Sequence, residues 1–150
     1  MGMFNNKIEA EFDPPRKWVL SRALTYKNPD IDKDALERVG VSAQGFEIFV
    51  KKDFVTDLAS VPRMCWAFVA PWDVARAAII HDLLYKRIRQ YRSAGGDDKK
   101  VISAAKKAAD DVFHMAMKDA EPSVANWKIA AAYYSVRMFG RWSIIPREED

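Results

Sequence analysis

The chain has 150 residues, the usual length of one domain, and its composition of 49% hydrophobic and 30% charged residues excludes an intrinsically disordered protein. The net charge of +3 is too small to indicate nucleic-acid binding by itself, although "YKRIRQYR" and "KKVISAAKK" concentrate the positive charge. A single cysteine excludes an internal disulfide. No signal peptide is expected, because "MGMFNNKIEAEF" has no basic segment followed by an apolar run. No membrane span is expected, because the most apolar window, 61–80, contains Arg63, Pro71, Asp73 and Arg76.

The first third of the chain is predicted to be β. In "WVLSRALTY" the hydrophobic residues alternate with a period of two, apart from Arg22, which predicts one half-buried strand over 18–26. The segment "DKDALERVG" predicts a short helical turn that ends at Gly40. A second strand is predicted at "FEIFV" (46–50), and "FVTD" (54–57) continues the sheet.

From residue 60 the period of the hydrophobic residues becomes helical. Ser60 is predicted to cap a short helix that Pro71 ends. The next helix, at about 72–91, has the clearest apolar stripe, which consists of Val74, Ala77, Ala78, His81, Leu84, Tyr85 and Ile88.

Two more helices are predicted after the break at "RSAGGDD". The third helix covers roughly 98–118, and its inward residues are Val101, Ala105, Ala108, Ala109, Val112 and Ala116. The fourth starts at Pro122 and Ser123, with Gly140 as its C′ residue. Its apolar face is predicted to comprise Val124, Trp127, Ala131, Tyr134 and Met138.

Strands followed by helices predict an α+β fold. We expect a small N-terminal antiparallel sheet packed against about four C-terminal helices. One domain is expected over 1–150, with a β part at about 17–58, a helical part at about 60–140 and a tail at 141–150.

His81 is predicted to point into the core, because it lies within the apolar stripe. A buried imidazole has two nitrogens to satisfy, and leaving one unpaired costs about 1–3 kcal/mol. Either a carboxylate or a carbonyl holds the ring as a structural link, or His81 is a metal ligand or general base. Adjacent His81 and Asp82 could converge on a metal as in the HD phosphohydrolases, but those enzymes need further upstream histidines, and none precedes residue 81.

Asp57 also has two interpretations. Its side chain could accept hydrogen bonds from nearby backbone N–H groups in an Asx-turn, or it could face His81 across the junction between strand and helix. Asp57, His81 and either Asp82 or Asp110 could nominally supply the three ligands of a zinc site. No metal-binding spacing such as H-x-x-x-H supports that site, so no metal or cofactor is expected.

Three further polar residues have candidate structural roles. Ser60 lacks the sequence context of a nucleophile elbow, and as a helix cap its hydroxyl already serves the backbone. Arg63 is expected to pair with Asp57 or another carboxylate. Arg137, on the inward side of the last helix, needs an acidic partner, for which Asp110 is the natural candidate.

The motifs "DFVTDLASVPR", "AAIIHDLLY", "AADDVFHMAM" and "YYSVRMFG" resemble, in this order, the phage and prophage proteins grouped as domain of unknown function 1353. The similarity runs from about Trp18 to Gly140. One departure is Asp53, which stands where the family usually has a glycine before Phe54. Carried over by position, the polar residues of the family are Thr56, Asp57, Ser60, Arg63, His81, Asp82, Tyr85, Asp110 and Arg137.

This resemblance implies a phage or prophage origin but no activity. One hypothesis is a non-enzymatic virion component such as a tail, head–tail or baseplate accessory, found in the virion or in the host cytoplasm before assembly. Its partners would be other virion proteins. Binding of nucleic acid at the Lys86–Arg92 face is weakly supported, and no membrane contact is expected. The alternative is a small hydrolase, metal-dependent or not, acting on a cell-wall or phosphoester substrate. Its candidate catalytic residues are Asp57, His81, Asp82 and Asp110.

Overall fold

The structure is a computed structural model that describes residues 2–5, 10–13, 17–56, 60, 71–120 and 124–147, with the backbone alone at 10–13, 17 and 71–74. The predicted short helix after Ser60 therefore lies outside the described residues, as do Asp57 and Arg63. Strands in the first 56 residues precede long helices. This order confirms the predicted α+β class.

The described strands form two small antiparallel sheets. Their bounds are β1 Met3–Phe4, β2 Ala10–Asp13, β3 Lys17–Leu20, β4 Leu24–Lys27, β5 Glu47–Val50 and β6 Val55–Thr56. One sheet has the order β1-β4-β5 and the other the order β2-β3-β6. In the first sheet Leu24 lies opposite Val50 and Tyr26 opposite Ile48, so the buried faces of the two strands are in register.

The prediction of one continuous strand over 18–26 is wrong. β3 and β4 belong to different sheets, and the chain bends between them. The backbone of Leu20 exchanges hydrogen bonds with Asp53 and Phe54, which ties β3 to the segment that leads into β6. Arg22, the exception in the alternation, is exposed at this bend. A break in the period of two therefore marked the change of sheet.

Four helices are described. They are α1 Lys33–Glu37, α2 Pro71–Ser93, α3 Lys99–Lys118 and α4 Asn126–Phe139. Asp32 caps α1 and Asp98 caps α3, each by accepting hydrogen bonds from backbone N–H groups of the first turn. Short 3₁₀ turns cover Gln44–Phe46 and Gly140–Trp142. None of the helices in these described parts is long and apolar enough to cross a membrane.

The core lies around α2, which packs against α3 and contacts β5 and β6. The stripe predicted for α2 is buried, apart from Val74, whose side chain lies outside the described set. The inward face predicted for α3 is also confirmed from Ala105 onward, while Val101 packs half-buried at the edge of the core. In α3 the single apolar stripe identified the buried face, whereas in α2 residues outside the stripe, such as Ile79, Ile80 and Leu83, are buried as well.

The prediction for α4 is wrong about which face is buried. Trp127, Tyr134 and Met138 were expected inward but are 62–63% exposed, and the buried face consists of Ile129, Ala132 and Val136. The helix carries two apolar stripes, and only the one with smaller side chains faces the core. The reason is an anchor from α3, described below, that fixes the rotation of α4 about its own axis.

Candidate functional site

His81 is fully buried, and both of its ring nitrogens have partners. Nδ1 lies 3.0 Å from the hydroxyl oxygen of Ser60, and Nε2 lies 2.8 Å from Oδ1 of Asp110. α2 supplies the imidazole and α3 supplies the carboxylate. Ser60 and Asp110 are also fully buried. The requirement that a buried imidazole be satisfied is therefore met on both sides of the ring.

Asp110 is the centre of this arrangement, because four side chains donate hydrogen bonds to its two oxygens. Oδ1 accepts from His81 and from the hydroxyl of Tyr85, at 2.8 and 2.5 Å. Oδ2 accepts from Lys106 Nζ at 2.8 Å and from Arg137 at 3.0 Å. The donors come from α2, α3 and α4, so one carboxylate links all three long helices.

The electrostatics of this centre favour an ionised Asp110. Burial acts to raise the pKa of its carboxyl, but hydrogen bonds from His81, Lys106 and Tyr85, together with the charge of His81, outweigh burial and lower the pKa to about 2. With Asp110 ionised, Nε2 of His81 carries the hydrogen that it donates. On the other side of the ring, Nδ1 and the hydroxyl of Ser60 form the second hydrogen bond.

Tyr85 is held as a neutral phenol at the same carboxylate. Burial raises the pKa of its hydroxyl, and the charge of Asp110 and the hydrogen bond to it raise it further. The tyrosine ring also packs against His81, with ring centroids 4.0 Å apart. Phe113 of α3 covers the imidazole from another side, at 4.9 Å between centroids. The imidazole is thus enclosed by aromatic rings as well as by hydrogen bonds.

A pH prediction follows from the lowered pKa of Asp110. The carboxyl has a pKa near 3.8 when unfolded and about 2 when folded, so its ionised form stabilises the protein above about pH 4. That contribution, on the order of 2 kcal/mol, is lost as the pH falls from about 4 to about 2. We expect the difference in unfolding free energy between wild type and Asp110→Asn, measured with urea, to shrink over this window. A difference that stays constant from pH 6 to pH 2 would contradict the assignment.

Asp82 points away from His81, as neighbours on a helix do. Its Oδ2 accepts a hydrogen bond of 2.6 Å from the hydroxyl of Thr56, and both side chains are buried. This contact joins β6 to α2. Asp82 therefore serves the interface between sheet and helix, whereas His81 serves the interface between helices.

The structure brings together part of the set of polar residues considered from the sequence. Ser60, His81, Tyr85, Asp110 and Arg137 form one connected network. Thr56 and Asp82 hydrogen-bond to each other, and the predicted Asp57 and Arg63 lie outside the described residues. Any contact between Asp57 and His81 therefore stays a prediction.

Lys106 is the member of the network that sequence reasoning missed. Its Nζ bonds to Asp110 and also to the carbonyl oxygens of Val136 and Arg137 near the end of α4, at 3.1 and 3.3 Å. Its side chain is only 10% exposed. Two signals in the sequence could have revealed it: it lies four residues before Asp110, and it adjoins the inward stripe of α3. This is the anchor that fixes the rotation of α4.

The network does not resemble a metal centre. Within the described ranges, no group of three or more His, Cys, Asp or Glu side chains is placed to hold a metal ion. Both oxygens of Asp110 already accept hydrogen bonds, Oδ1 from His81 and Tyr85 and Oδ2 from the cations of Lys106 and Arg137. These contacts make the carboxylate a structural acceptor rather than an open ligand.

The comparison with family models agrees with the motifs. A model described as "Protein of unknown function (DUF1353)" matches residues 36–136, more than half of the chain. No curated protein and no solved structure matches. The matched range contains His81, Asp110 and Lys106 and reaches Val136, the residue before Arg137. The resemblance drawn from the motifs is thereby confirmed: this chain belongs to the DUF1353 family of proteins of unknown function.

Proposed function

We propose that this protein is a non-enzymatic structural or assembly component of a phage or prophage particle, such as a tail, head–tail or baseplate accessory. It would act in the virion or, before assembly, in the host cytoplasm, and its partners would be other virion proteins. The phage origin rests on the resemblance of the four sequence motifs. The non-enzymatic role rests on the burial of the one constellation that could carry chemistry.

The complete enclosure of Ser60, His81 and Asp110 carries this proposal. All three residues are 0% exposed, so a substrate has no direct approach to the imidazole or the hydroxyl. A general base must come within about 3 Å of the proton that it removes. The charge of Asp110 is also already balanced by Lys106 and Arg137. These are the features of a buried polar network that specifies how helices pack.

The basic face Lys86–Arg92 supports protein partners better than nucleic acid. Arg89 is 3% exposed and donates to the carbonyl of Ser143, and Arg92 donates to the carbonyl of Ile144. Part of the positive charge thus fixes the turn after α4 instead of facing a phosphate backbone.

A serine hydrolase is the second candidate, and one observation favours it. Ser60, His81 and Asp110 are linked in the order hydroxyl, imidazole, carboxylate, which is the order of an acyl-transfer triad. The two ring nitrogens are exchanged relative to serine proteases, since Nδ1 faces the serine here. Activity would require an opening that exposes Ser60 to an ester or amide substrate.

A fluorophosphonate probe separates the two candidates, because it labels activated serines. We expect no labelling of wild type, and no stoichiometric metal by elemental analysis of the purified protein. Ser60→Ala should cost about 1 kcal/mol, since Nδ1 of His81 loses its partner, and should lower the Tm by about 2–4 °C. Exposed Ser103→Ala is the matched control and should change little. Labelling of wild type that Ser60→Ala abolishes would establish the hydrolase, and a stoichiometric metal would also contradict the non-enzymatic role.

A further inference from the structure

The helix α4 and the turn after it expose several large apolar side chains. Six large apolar side chains of α4 and the turn that follows it are at least 36% exposed. We call them the α4 surface: Trp127, Tyr134, Met138, Phe139, Trp142 and Ile145. Aromatic residues and methionine are the types enriched where proteins bind one another. Clustered exposed apolar residues on a soluble domain mark an interaction site.

The spacing of these residues indicates the shape of what binds there. Trp127, Tyr134 and Met138 lie at positions i, i+7 and i+11, with half-buried Ala131 at i+4. This is the narrow stripe along one side of a helix that packs against another helix. Phe139, at the end of α4, lies about 100° around the helix from Met138, and its ring stacks on that of Trp142 in the following turn, with centroids 6.0 Å apart. A second helix lying along α4 would cover the stripe.

The charge around the stripe indicates the chemistry of that helix. Residues 124–147 contain no Asp or Glu, although Glu148, Glu149 and Asp150 follow them in the sequence. Of the cations in this range, Arg137 is paired with Asp110, whereas Lys128 and Arg141 lie beside the apolar rings. Arg141 lies 4.3 Å from the ring centroid of Trp142, and Lys128 lies 5.7 Å from that of Trp127. Cations therefore flank the apolar stripe. The charges beside the described rings are therefore positive, which favours an acidic partner.

We propose that the α4 surface binds an amphipathic helix of a partner protein whose apolar face is flanked by Asp and Glu. This inference rests on the proposed role in an assembly, for which it names the class of partner. The stripe supplies apolar contacts to the centre of the interface, and the flanking cations select against basic or neutral helices.

The test uses two labelled synthetic helical peptides of about 20 residues, which span a length like that of the stripe. Both carry the same leucine face, flanked by Glu in one and by Lys in the other. Fluorescence anisotropy should show the acidic peptide binding about tenfold or more tightly than the basic one, with affinity that falls as salt is added. Replacing both Tyr134 and Met138 with alanine should weaken binding about tenfold. The matched control is Phe49→Ala, an exposed aromatic residue on β5, which should leave binding unchanged.

Several results would overturn this inference. They are absence of binding by the acidic peptide, equal binding of both peptides, or dimerisation of the chain through α4 in sedimentation experiments. A different partner is assigned if the acidic peptide does not bind but anionic phosphatidylglycerol vesicles or a single-stranded oligonucleotide do. That binding must be lost in the variant with both Tyr134 and Met138 replaced. The fluorophosphonate experiment reports separately on Ser60, so a failure of peptide binding and a failure of the non-enzymatic role are distinguishable.

Discussion

An Asp110→Ala variant is expected to lose about 3–5 kcal/mol of unfolding free energy, the range for removing one partner of a buried ion pair. The substitution removes the acceptor of His81, Tyr85, Lys106 and Arg137 together. Lys106 should contribute most to the loss of unfolding free energy, because its side chain is 90% buried and would keep an uncompensated charge. The loss should appear as a lower midpoint in urea unfolding followed by circular dichroism.

The neighbouring residue provides the control for this prediction. Asp111 lies on the same helix, accepts hydrogen bonds from Lys107 and Tyr133 and has a side chain that is 36% exposed. Exposed pairs of this kind contribute about 0–1 kcal/mol, so Asp111→Ala should lose far less than Asp110→Ala. Equal losses of unfolding free energy in the two variants would show that the buried hydrogen bonds of Asp110 stabilise the protein no more than the exposed ones of Asp111.

The second large effect is expected at Gly140, where alanine should destabilise the protein by about 2–3 kcal/mol. The residue was predicted to be a left-handed C′ glycine, but its φ is −64°, ordinary helical backbone in which alanine is normally favoured. Glycine is needed for a different reason: a Cβ there would lie 2.3 Å from the hydroxyl oxygen of Tyr85. Tyr85 is fully buried and bonded to Asp110, so it cannot move aside without losing that contact.

A double-mutant cycle tests this explanation. Tyr85→Phe removes the oxygen closest to the new methyl group, although the ring carbon Cζ would still be 3.1 Å away. Gly140→Ala should therefore cost less in the Tyr85→Phe background than in wild type, by about 1 kcal/mol or more in urea unfolding. Strictly additive costs, or a neutral Gly140→Ala, would show that close approach of Tyr85 is not what requires glycine.

Sequence patterns identified the buried face of α3 because this helix has one apolar stripe. They succeeded for α2 because that helix is buried on all sides from Ala77 to Tyr85. They could not orient α4, whose two stripes are both apolar. Because Trp127 and Met138 have larger apolar side chains than Ala132 and Val136, the stripe that contains them was predicted to be the buried one. The choice was made by Lys106, which reaches across from α3 to the carbonyls of α4. A contact between residues thirty positions apart is invisible to a local pattern.

The same limit explains the error in the strands. Whether β3 continues into β4 depends on their partners, Val55–Thr56 and Glu47–Val50, which lie far along the chain. The backbone at Asp53, where the sequence departs from the family pattern, is a separate point. Asp53 stands in place of the usual glycine of the family, yet it has φ 71°, in the left-handed region that glycine favours and aspartate tolerates. The departure in sequence thus coincides with a glycine-like backbone.

The candidate site was predictable only in part. The position of His81 in an apolar stripe was enough to predict that its ring is buried and must be satisfied. Which residues satisfy it was not, because Ser60 and Asp110 are 21 and 29 positions away. Local spacing cannot rank such distant partners, so from sequence Asp57, Asp82 and Asp110 were all open candidates.

The convergence of donors on Asp110 has a consequence for local opening. If any one of the three long helices moves away, the carboxylate of Asp110 loses hydrogen-bond donors. If α4 moves away, Lys106 also loses its two carbonyl partners. Partial opening would therefore break buried hydrogen bonds of Asp110 or Lys106 as well as apolar contacts. We expect the three helices to open together as one cooperative unit, so that α4 carries its exposed stripe on a support that opens only with the other two helices.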